Sequence, residues 1–511
     1  MSQIKVTDLS FCYDGSLEPV FEHVSFVLDT DWKLGFTGRN GRGKTTFLKL
    51  LMGEYEYTGS IKSSVAFSYF PCEPRDASLP CAQIAEELFG PYEPWRLDVE
   101  LSCLGLPEAL LDRPFSTLSG GEKTKFLLAA MFLQEDGFLL IDEPTNHLDL
   151  EGRRLVSDYL SGKQGFILVS HDRAFLDGCI DHVLSINRHD IELRKGSFSA
   201  WLRDKEQRDA GELAENERLK KDIRRLDSAA RRAAEWSNQT EKAKFGTRNS
   251  GLRPDRGFIG HKAAKMMSRA KNIESRREGA AEEKARLLKN IEKADDLKLS
   301  PLVWHAECLA EVRDLSIAYD GTRVLDGVRF DICRGQRLAL RGPNGCGKSS
   351  ILRLIVGEDV PHTGRVYVAP GLQISYVPQD SSGLRGPLAA YAESCGVDRS
   401  QFFTILRKLD FQRAHFDHDM QALSAGQRKK ILIARSLCQQ AHLYVWDEPL
   451  NYIDLPSRMQ IERLLRQYPL TLLFVEHDVE FCTNIGAEEL LLRRPGSVSD
   501  ARGGESENSG R

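Results

Sequence analysis

Long apolar segments and paired cysteines are both missing from this chain of 511 residues. No apolar run approaches the ~18 to 20 residues of a membrane-spanning helix, and the N-terminal residues carry no secretory core. The eleven cysteines are scattered singly without a CxxC pair, which argues against a disulfide framework and against a zinc or iron–sulfur site. We therefore expect a protein of the reducing cytoplasm that does not cross a membrane.

The net charge of −4 is small, but the charge is unevenly distributed. Residues 201–300 carry 26 Lys and Arg against 18 Asp and Glu, which leaves the rest of the chain at −12. Within that stretch, residues 242–271 hold nine basic side chains and a single acidic one, Asp255. Because solvated helix faces usually balance their charges, this cluster favours contact with a polyanion such as RNA. A plain solvated face is the alternative.

One series of motifs occurs twice in the same order. Residues 38–45 and 342–349 match the phosphate-binding loop pattern of glycine, four residues, and Gly-Lys-Ser/Thr. Each copy then shows LSGGE or LSAGQ (118–122, 423–427), Asp-Glu-Pro (142–144, 447–449) and His-Asp (171–172, 477–478). From lysine to serine there are 75 and 76 residues, and from serine to aspartate 23 in both copies. Chance does not keep four motifs in step, so the chain contains two copies of one nucleotide-binding domain.

The sequence around the motifs predicts the elements that carry them. Strands are predicted at 32–37 and 337–341 before the glycine loops, and helices at 47–51 and 351–355 after them. Short runs rich in β-branched and aromatic residues, at 138–141, 166–169, 443–446 and 471–475, are typical of buried parallel strands. We therefore expect an α/β fold with two P-loop domains, at 1–195 and 305–494. A helical hairpin at 196–304 would join them, and residues 495–511 are predicted to be disordered.

The segment between the two domains has the composition of an antiparallel coiled coil. Apolar residues step by four and three along one seam: Leu219, Ile223, Leu226, Ala230 and Ala233. Glycines and Pro254 interrupt the pattern between 246 and 260, after which helical composition resumes to about residue 291. Two arms of about 35 residues would each be about 50 Å long. The basic cluster falls at the turn between them.

The glycine loops have the residue types that bind the phosphates of a nucleotide. Backbone N–H groups of such a loop converge on the phosphates, and Lys44 and Lys348 supply positive charge. The predicted binding residues are Gly38, Arg39, Asn40, Gly41, Arg42, Gly43, Lys44 and Thr45, and Gly342, Pro343, Asn344, Gly345, Cys346, Gly347, Lys348 and Ser349.

The downstream motifs supply oxygen and nitrogen groups suited to Mg²⁺ and to hydrolysis. Thr45 and Ser349 offer hydroxyls to Mg²⁺, and Asp142 and Asp447 are expected to reach the same ion directly or through water. Glu143 and Glu448 are placed to orient or deprotonate the attacking water. His171 and His477 each follow a predicted strand and are expected to contact the γ-phosphate.

With these motifs, both halves resemble ATP-binding cassette domains over residues 1–190 and 305–493. That resemblance implies an ATPase with ATP and Mg²⁺ as cofactors. It also implies head-to-tail pairing of the cassettes, with one ATP between Lys44 and Ser424 and another between Lys348 and Ser119. Gly121 and Gly426 belong to the same two signature motifs, LSGGE and LSAGQ. Tyr13 and Tyr319 match the family's aromatic residue that stacks on adenine.

The first copy departs from the family at one position. The family's glutamine after the third strand is present as Gln379, a predicted Mg²⁺ ligand, but Cys72 replaces it in the first copy. Because a thiol is a poor ligand for Mg²⁺, the first site is expected to hydrolyse ATP more slowly. Replacement of the glutamine oxygen by water is the alternative.

Two cassettes on one chain, joined by a basic helical hairpin, resemble the ABC-F proteins, which act on ribosomes. Residues 255–267 and 446–454 are similar to the Lsa/Vga-type antibiotic-resistance branch. The resemblance implies that the hairpin enters from the tRNA exit region, contacts large-subunit rRNA and P-site tRNA, and displaces an antibiotic from the peptidyl-transferase center, with hydrolysis driving release. The expected ribosome-binding residues are Lys242, Lys244, Phe245, Arg248, Arg253, Arg256, Phe258, Lys262 and Lys265.

Other functions fit parts of the sequence. A housekeeping ABC-F factor that relieves stalled ribosomes has the same architecture. The ATPase subunit of a membrane transporter has no need of a basic hairpin of about 100 residues, and a DNA-repair or chromosome ATPase usually shows zinc cysteines or far longer coiled coils. We therefore expect a ribosomal partner, with neither a membrane nor DNA.

Overall fold

The computed structural model describes residues 2–14, 19–134, 137–186, 191–243, 299–319, 321–493 and 495, with short runs between 261 and 279. The chain divides into two compact units. One comprises residues 1–186, 192–198 and 294–511 and holds both phosphate loops, and the other comprises residues 187–191 and 199–293. No helix in the described ranges is long and apolar enough to span a membrane.

In the described residues, the first half of the larger unit is a cassette of nine strands and six α-helices. The strands are β1 Gln3–Phe11, β2 Phe21–Asp29, β3 Lys33–Thr37, β4 Thr58–Lys62, β5 Ala66–Phe70, β6 Gly137–Asp142, β7 Phe166–Val169, β8 His182–Ile186 and β9 Ile191–Lys195. The helices are α1 Lys44–Leu51, α2 Cys81–Phe89, α3 Pro94–Cys103, α4 Gly120–Met131, α5 Leu150–Ser161 and α6 Arg173–Cys179. The main sheet has the order β5-β6-β7-β3-β8-β9, and a small antiparallel sheet has the order β2-β1-β4.

A single long helix, α7 Phe198–Ala243, accounts for most of the described part of the smaller unit. Its 46 residues exceed the arm of about 35 residues that the seam predicts. The helix is longer because good helix formers extend on both sides of the seam, and residues 198–243 contain one glycine and no proline. Lys242 lies in its last turn, and Lys265 lies in a helical run and is exposed. The other predicted ribosome-binding residues, and the tail after residue 495, lie outside the described residues.

The second half of the larger unit repeats the cassette. Its strands are β10 Cys308–Tyr319, β11 Thr322–Cys333, β12 Arg337–Arg341, β13 His362–Val368, β14 Ile374–Val377, β15 Leu443–Asp447, β16 Thr471–Val475 and β17 Glu488–Leu491. Its helices are α8 Lys348–Val356, α9 Leu388–Ser394, α10 Arg399–Lys408, α11 Ala425–Cys438, α12 Leu455–Gln467 and α13 Val479–Asn484. A parallel sheet has the order β14-β15-β16-β12-β17, and an antiparallel sheet has the order β11-β10-β13.

The central strands place both sites at the same edge of their sheets. Every residue of β7, β15 and β16 is buried, as their short apolar runs predict. The predicted strands before the glycine loops are confirmed as β3 and β12, although β3 begins one residue later than expected. The phosphate loops follow β3 and β12, and the Asp-Glu motifs end β6 and β15. These groups therefore converge at the carboxyl ends of parallel strands, where open α/β sheets bind ligands.

Candidate nucleotide sites

The two phosphate loops have the same backbone. Gly43 and Gly347 precede α1 and α8 in the left-handed region, with φ of 93° and 86°. A Cβ on Gly43 would approach Val20 to 2.5 Å, so that only glycine fits there. Each lysine side chain binds the first glycine of its own loop: Lys44 Nζ donates to Gly38 O at 2.6 Å, and Lys348 Nζ donates to Gly342 O at 2.7 Å. Burial lowers the pKa of both lysines.

The predicted Mg²⁺ groups come together in both cassettes. Thr45 Oγ1 donates to Asp142 Oδ2 at 2.8 Å, and Tyr69 also donates to this oxygen, at 3.1 Å. In the second cassette, interaction with the Ser349 hydroxyl acts to lower the pKa of Asp447. Burial raises the pKa of Asp142, and raises the pKa of Asp447 to about 6. A buried carboxylate beside a hydroxyl is an oxygen donor set that fits Mg²⁺.

The glutamates after these aspartates share a backbone conformation but differ in environment. Glu143 and Glu448 have φ of 52° and 44°, in a region that non-glycine residues rarely adopt. Burial, and then the neighbouring Asp142, raise the pKa of Glu143 to about 8. Burial also acts to raise the pKa of Glu448, but His477 and Gln379 outweigh it and hold that pKa below its usual value.

The histidines lie beside the glutamates. His171 Nε2 is 3.3 Å from Glu143 Oε1 and forms a hydrogen bond with Asn40 Oδ1 at 3.1 Å. Burial lowers the pKa of His171 well below its usual value, so its ring is neutral at neutral pH. His477 Nε2 is 3.8 Å from Glu448 Oε1. Each histidine thus lies beside its glutamate, and its contact with the γ-phosphate stays a prediction.

Cys72 and Gln379 occupy equivalent positions after β5 and β14 but have different chemistry. Gln379 Nε2 donates to Glu448 Oε2 at 2.9 Å. Burial raises the pKa of the Cys72 thiol to about 11. The thiol is therefore protonated at neutral pH, and it offers Mg²⁺ neither a thiolate nor an oxygen.

The signature serines cap helices. Ser119 Oγ accepts from Glu122 N at 3.3 Å, and Glu122 Oε2 accepts from Ser119 N at 2.8 Å. Ser424 and Gln427 exchange the same two hydrogen bonds at the start of α11. This capping box explains why serine is followed three residues later by Glu or Gln in both copies. It presents the N-termini of α4 and α11 at the domain surface.

Two cavities join each cassette to the signature motif of the other. A cavity of about 350 Å³ is lined by the first phosphate loop, Asp142, Glu143 and His171, together with Ser424, Gly426 and Tyr452. A second cavity, of about 660 Å³, is lined by Ser119 and Gly121 together with Asn344, Gln379, Glu448 and His477. Lys348, Ser349 and Asp447 are not among the residues lining this second cavity. We refer to the two as the first and second composite sites.

The loop after each Asp-Glu-Pro motif contributes contacts that the sequence reasoning missed. Asn40 Nδ2 donates to Tyr452 O at 3.0 Å, and Asn344 Nδ2 donates to His147 O at 3.2 Å. Asn344 N also donates to Asp149 Oδ2 at 3.2 Å. The sequence does contain a pattern that could have indicated these contacts, because Asn-x-x-Asp follows the Asp-Glu-Pro motif in both copies, at 146–149 and 451–454.

The two predicted adenine-stacking tyrosines are placed alike. The hydroxyl groups of Tyr13 and Tyr319 form hydrogen bonds with Thr46 Oγ1 at 2.6 Å and with Ser350 Oγ at 2.8 Å. The two residues are 42% and 41% exposed, so each ring retains an accessible surface. Their stacking on adenine stays a prediction.

Comparison with known proteins places the chain in a family. The ABC transporter family matches residues 21–146 and 325–451. The ribosome protection protein VmlR of Bacillus subtilis is 28% identical over 507 residues, covering 96% of this chain and 87% of VmlR. The energy-dependent translational throttle protein EttA of Escherichia coli is 23% identical, over 94% of this chain and 90% of EttA. The archaeal ribosome recycling factor aABCE1, solved in complex with the stalk protein aP1, shares the fold with a TM-score of 0.61 at 18% identity, over 95% and 87% of the two chains.

The repeated fold, the paired motifs and the family match define this chain as an ATP-binding cassette ATPase with two cassettes. Within that family, the chain belongs to the ABC-F group.

Proposed function

We propose that this ATPase binds ATP and Mg²⁺ in both composite sites and acts on the ribosome, where it protects translation from antibiotics at the peptidyl-transferase center. The observation that carries the nucleotide part is the make-up of the first composite site, since Lys44 of one cassette and Ser424 of the other line one cavity. Such a site is complete only when the cassettes are together, so that nucleotide occupancy is linked to closure.

Different side chains of each site have different roles in binding and hydrolysis. Lys44 and Lys348 neutralise phosphate charge, and the hydroxyl and carboxylate pairs, Thr45 with Asp142 and Ser349 with Asp447, hold Mg²⁺. When bound, Mg²⁺ neutralises the charge that develops on the phosphate oxygens. Glu143 and Glu448 orient the attacking water, and the adjacent histidines hold the γ-phosphate end of the site.

Three observations support a ribosomal partner. A helix of 46 residues is inserted between the cassettes, and residues 242–271, at and beyond the end of this helix, carry a net charge of +8. The similar protein VmlR is named as a ribosome protection protein. A basic segment neutralises rRNA phosphates and releases their counterions. We infer that the inserted segment contacts large-subunit rRNA and P-site tRNA from the tRNA exit region, and that hydrolysis releases the protein into the cytoplasm.

Co-sedimentation with ribosomes tests this proposal. The Glu143→Gln/Glu448→Gln variant is incubated with ATP and ribosomes, and the pellet is assayed for protein over a salt series. We expect ATP-dependent binding that weakens with salt. Absence from the pellet at low salt would contradict the ribosomal role and favour a transporter subunit.

A translation assay separates protection from a housekeeping role. The similarity to EttA, named a translational throttle protein, makes a housekeeping translation factor the second candidate. We expect the wild-type protein to restore translation inhibited by drugs at the peptidyl-transferase center. Rescue of stalled ribosomes without drug, and no rescue with drug, would favour the second candidate.

A further inference from the structure

An ion pair joins the two cassettes beside the first phosphate loop. Arg39 Nη1 lies 3.2 Å from Asp410 Oδ2, and the two side chains are 11% and 30% exposed. Arg39 belongs to the first phosphate loop, whereas Asp410 follows α10 in the second cassette. The same turn approaches the loop again, since a Cβ on Gly41 would lie 3.7 Å from the side-chain nitrogen of Gln412. Residues 410–412 therefore lie against the first phosphate loop.

The second composite site lacks the chemistry for this ion pair. Pro343 stands where the first loop has Arg39, and Gly105 stands where the second cassette has Asp410. Gly105 and Asp410 are each the second residue after a helix, α3 or α10, with φ of 63° and 62°. The backbone of the turn is thus the same in both cassettes, and the side chains alone create the difference.

The two cavities also differ in volume, and the smaller one lies beside the ion pair. The first composite site, beside which the ion pair lies, encloses about 350 Å³, against about 660 Å³ for the second, whose lining does not include Lys348. Gly105 lines the larger cavity and contributes no side chain to it. In both sites an asparagine, Asn40 or Asn344, contacts the opposite cassette. Those contacts therefore do not explain the difference in volume between the two cavities.

We propose that the ion pair between Arg39 and Asp410 is a latch across the first composite site, so that bound nucleotide leaves this site more slowly than the second. The inference rests on the proposed binding of ATP in both sites. Opening the first site requires the two charges to separate, and a contact broken on opening acts mainly on the dissociation rate. Because the pair is partly exposed, salt screens it and its effect is a few-fold rather than a thousandfold.

Nucleotide dissociation tests the latch. In the Glu143→Gln/Glu448→Gln background, bound mant-ATP is chased with excess ATP, and we expect a fast and a slow phase. Lys44→Ala identifies the slow phase by abolishing it. Asp410→Asn is expected to accelerate the slow phase about fivefold and to leave the fast phase unchanged. Asparagine tolerates the left-handed conformation as aspartate does, so the turn is preserved. The matched control Asp417→Asn removes an exposed charge nearby and should change neither phase.

Further variants distinguish loss of the Arg39–Asp410 ion pair from a general weakening of the contact between the cassettes. Arg39→Gln is expected to accelerate the slow phase as Asp410→Asn does, and the double variant to go no further, because either change removes the same interaction. High salt should accelerate the slow phase in the wild-type pair and not in the double variant. An unchanged slow phase in Asp410→Asn, or equal acceleration of both phases, would overturn the latch. Failure of mant-ATP to bind at all would instead overturn the proposed nucleotide sites, and the latch with them.

Discussion

The side-chain amide of Gln379 donates a hydrogen bond to Glu448 across 2.9 Å and fixes one oxygen of that carboxylate. Asn451 donates to the same oxygen at 2.6 Å. In the first cassette Cys72 occupies the place of Gln379, and Oε1 of Glu143 is buried without a hydrogen-bond partner among the described residues. Two sites with the same motifs therefore hold their glutamates differently.

Replacing both glutamates is expected to stop hydrolysis and spare binding. In Glu143→Gln/Glu448→Gln the phosphate loops and the aspartates remain, whereas the activation of water is lost. We expect phosphate release to fall by about 10² or more, with ATP affinity nearly unchanged. Phosphate release and ATP binding are the measurements. Turnover within about threefold of wild type would disprove the roles assigned to these residues.

The single replacements are expected to differ. Glu448→Gln should lower steady-state turnover more than Glu143→Gln, because the second cassette keeps both Gln379 and the ordered carboxylate. Cys72→Gln in the Glu448→Gln background should then raise the remaining turnover. Equal losses from the two single variants would show that Cys72 has no catalytic consequence.

A buried ion pair between the cassettes is expected to favour closure. Arg173 of α6 pairs with Glu462 of α12 and with Glu480 of α13, at 2.5 and 2.9 Å. Arg173→Met leaves the Glu462 side chain, 9% exposed, without its cation, at a cost of about 3–5 kcal/mol in the closed state. The matched change Glu480→Gln, at a side chain 41% exposed, should cost about 0–1 kcal/mol. Fluorescence energy transfer between labelled cassettes measures closure, and equal closure in both variants would contradict the assignment.

Acid stability of the second cassette is expected to depend on Asp454. Burial acts to raise the pKa of this carboxyl, but the Lys430 ammonium at 2.6 Å and the hydrogen bonds from Ser457 outweigh it and hold the pKa well below its usual range. A folded-state pKa below the unfolded value of about 3.9 adds stability above that pH, and this stability is lost as the pH falls.

The comparison with Asp454→Asn isolates this contribution. The wild-type protein should be more stable than the variant at pH 7, and the difference should narrow as the pH falls below about 4. Urea unfolding from pH 7 to pH 3 gives the measurement. The exposed change Asp417→Asn should follow the wild-type curve throughout. A difference that stays constant with pH would show that the charge of Asp454 is not involved.

The predictions for the segment inserted between the cassettes rest on the charge of +8 in residues 242–271. Replacing Lys242, Lys244, Arg248 and Arg253 with glutamine should weaken ribosome association and flatten its salt dependence. Each phosphate contact that is lost reduces the number of counterions released on binding. Phe258→Ala should spare most of the affinity but reduce drug protection. Both variants should keep intrinsic ATPase activity. Unchanged binding and protection in both would reduce the inserted segment to a spacer.

Local patterns predicted much of each cassette. The strand at 471–475 and the strand at 337–341 have the bounds that the sequence predicts, because a short apolar run between polar residues has few other ways to be buried. The helix α7 is longer than the arm of about 35 residues that the seam predicts, since helix ends depend on contacts as much as on composition. The existence of the long helix was predicted from its content of good helix-forming residues.

The sequence by itself determined the two phosphate loops, their glycine conformations, the capping boxes and the duplicated order of motifs, because each of these depends on residues close together in the chain. The tertiary structure alone decided which side chains meet across the cassettes. Arg39 and Asp410 are 371 positions apart, and no local pattern specifies that their turns come together. The same holds for the unequal environments of Glu143 and Glu448, since burial and distant partners set the pKa of a carboxyl and the packing of the whole domain supplies both.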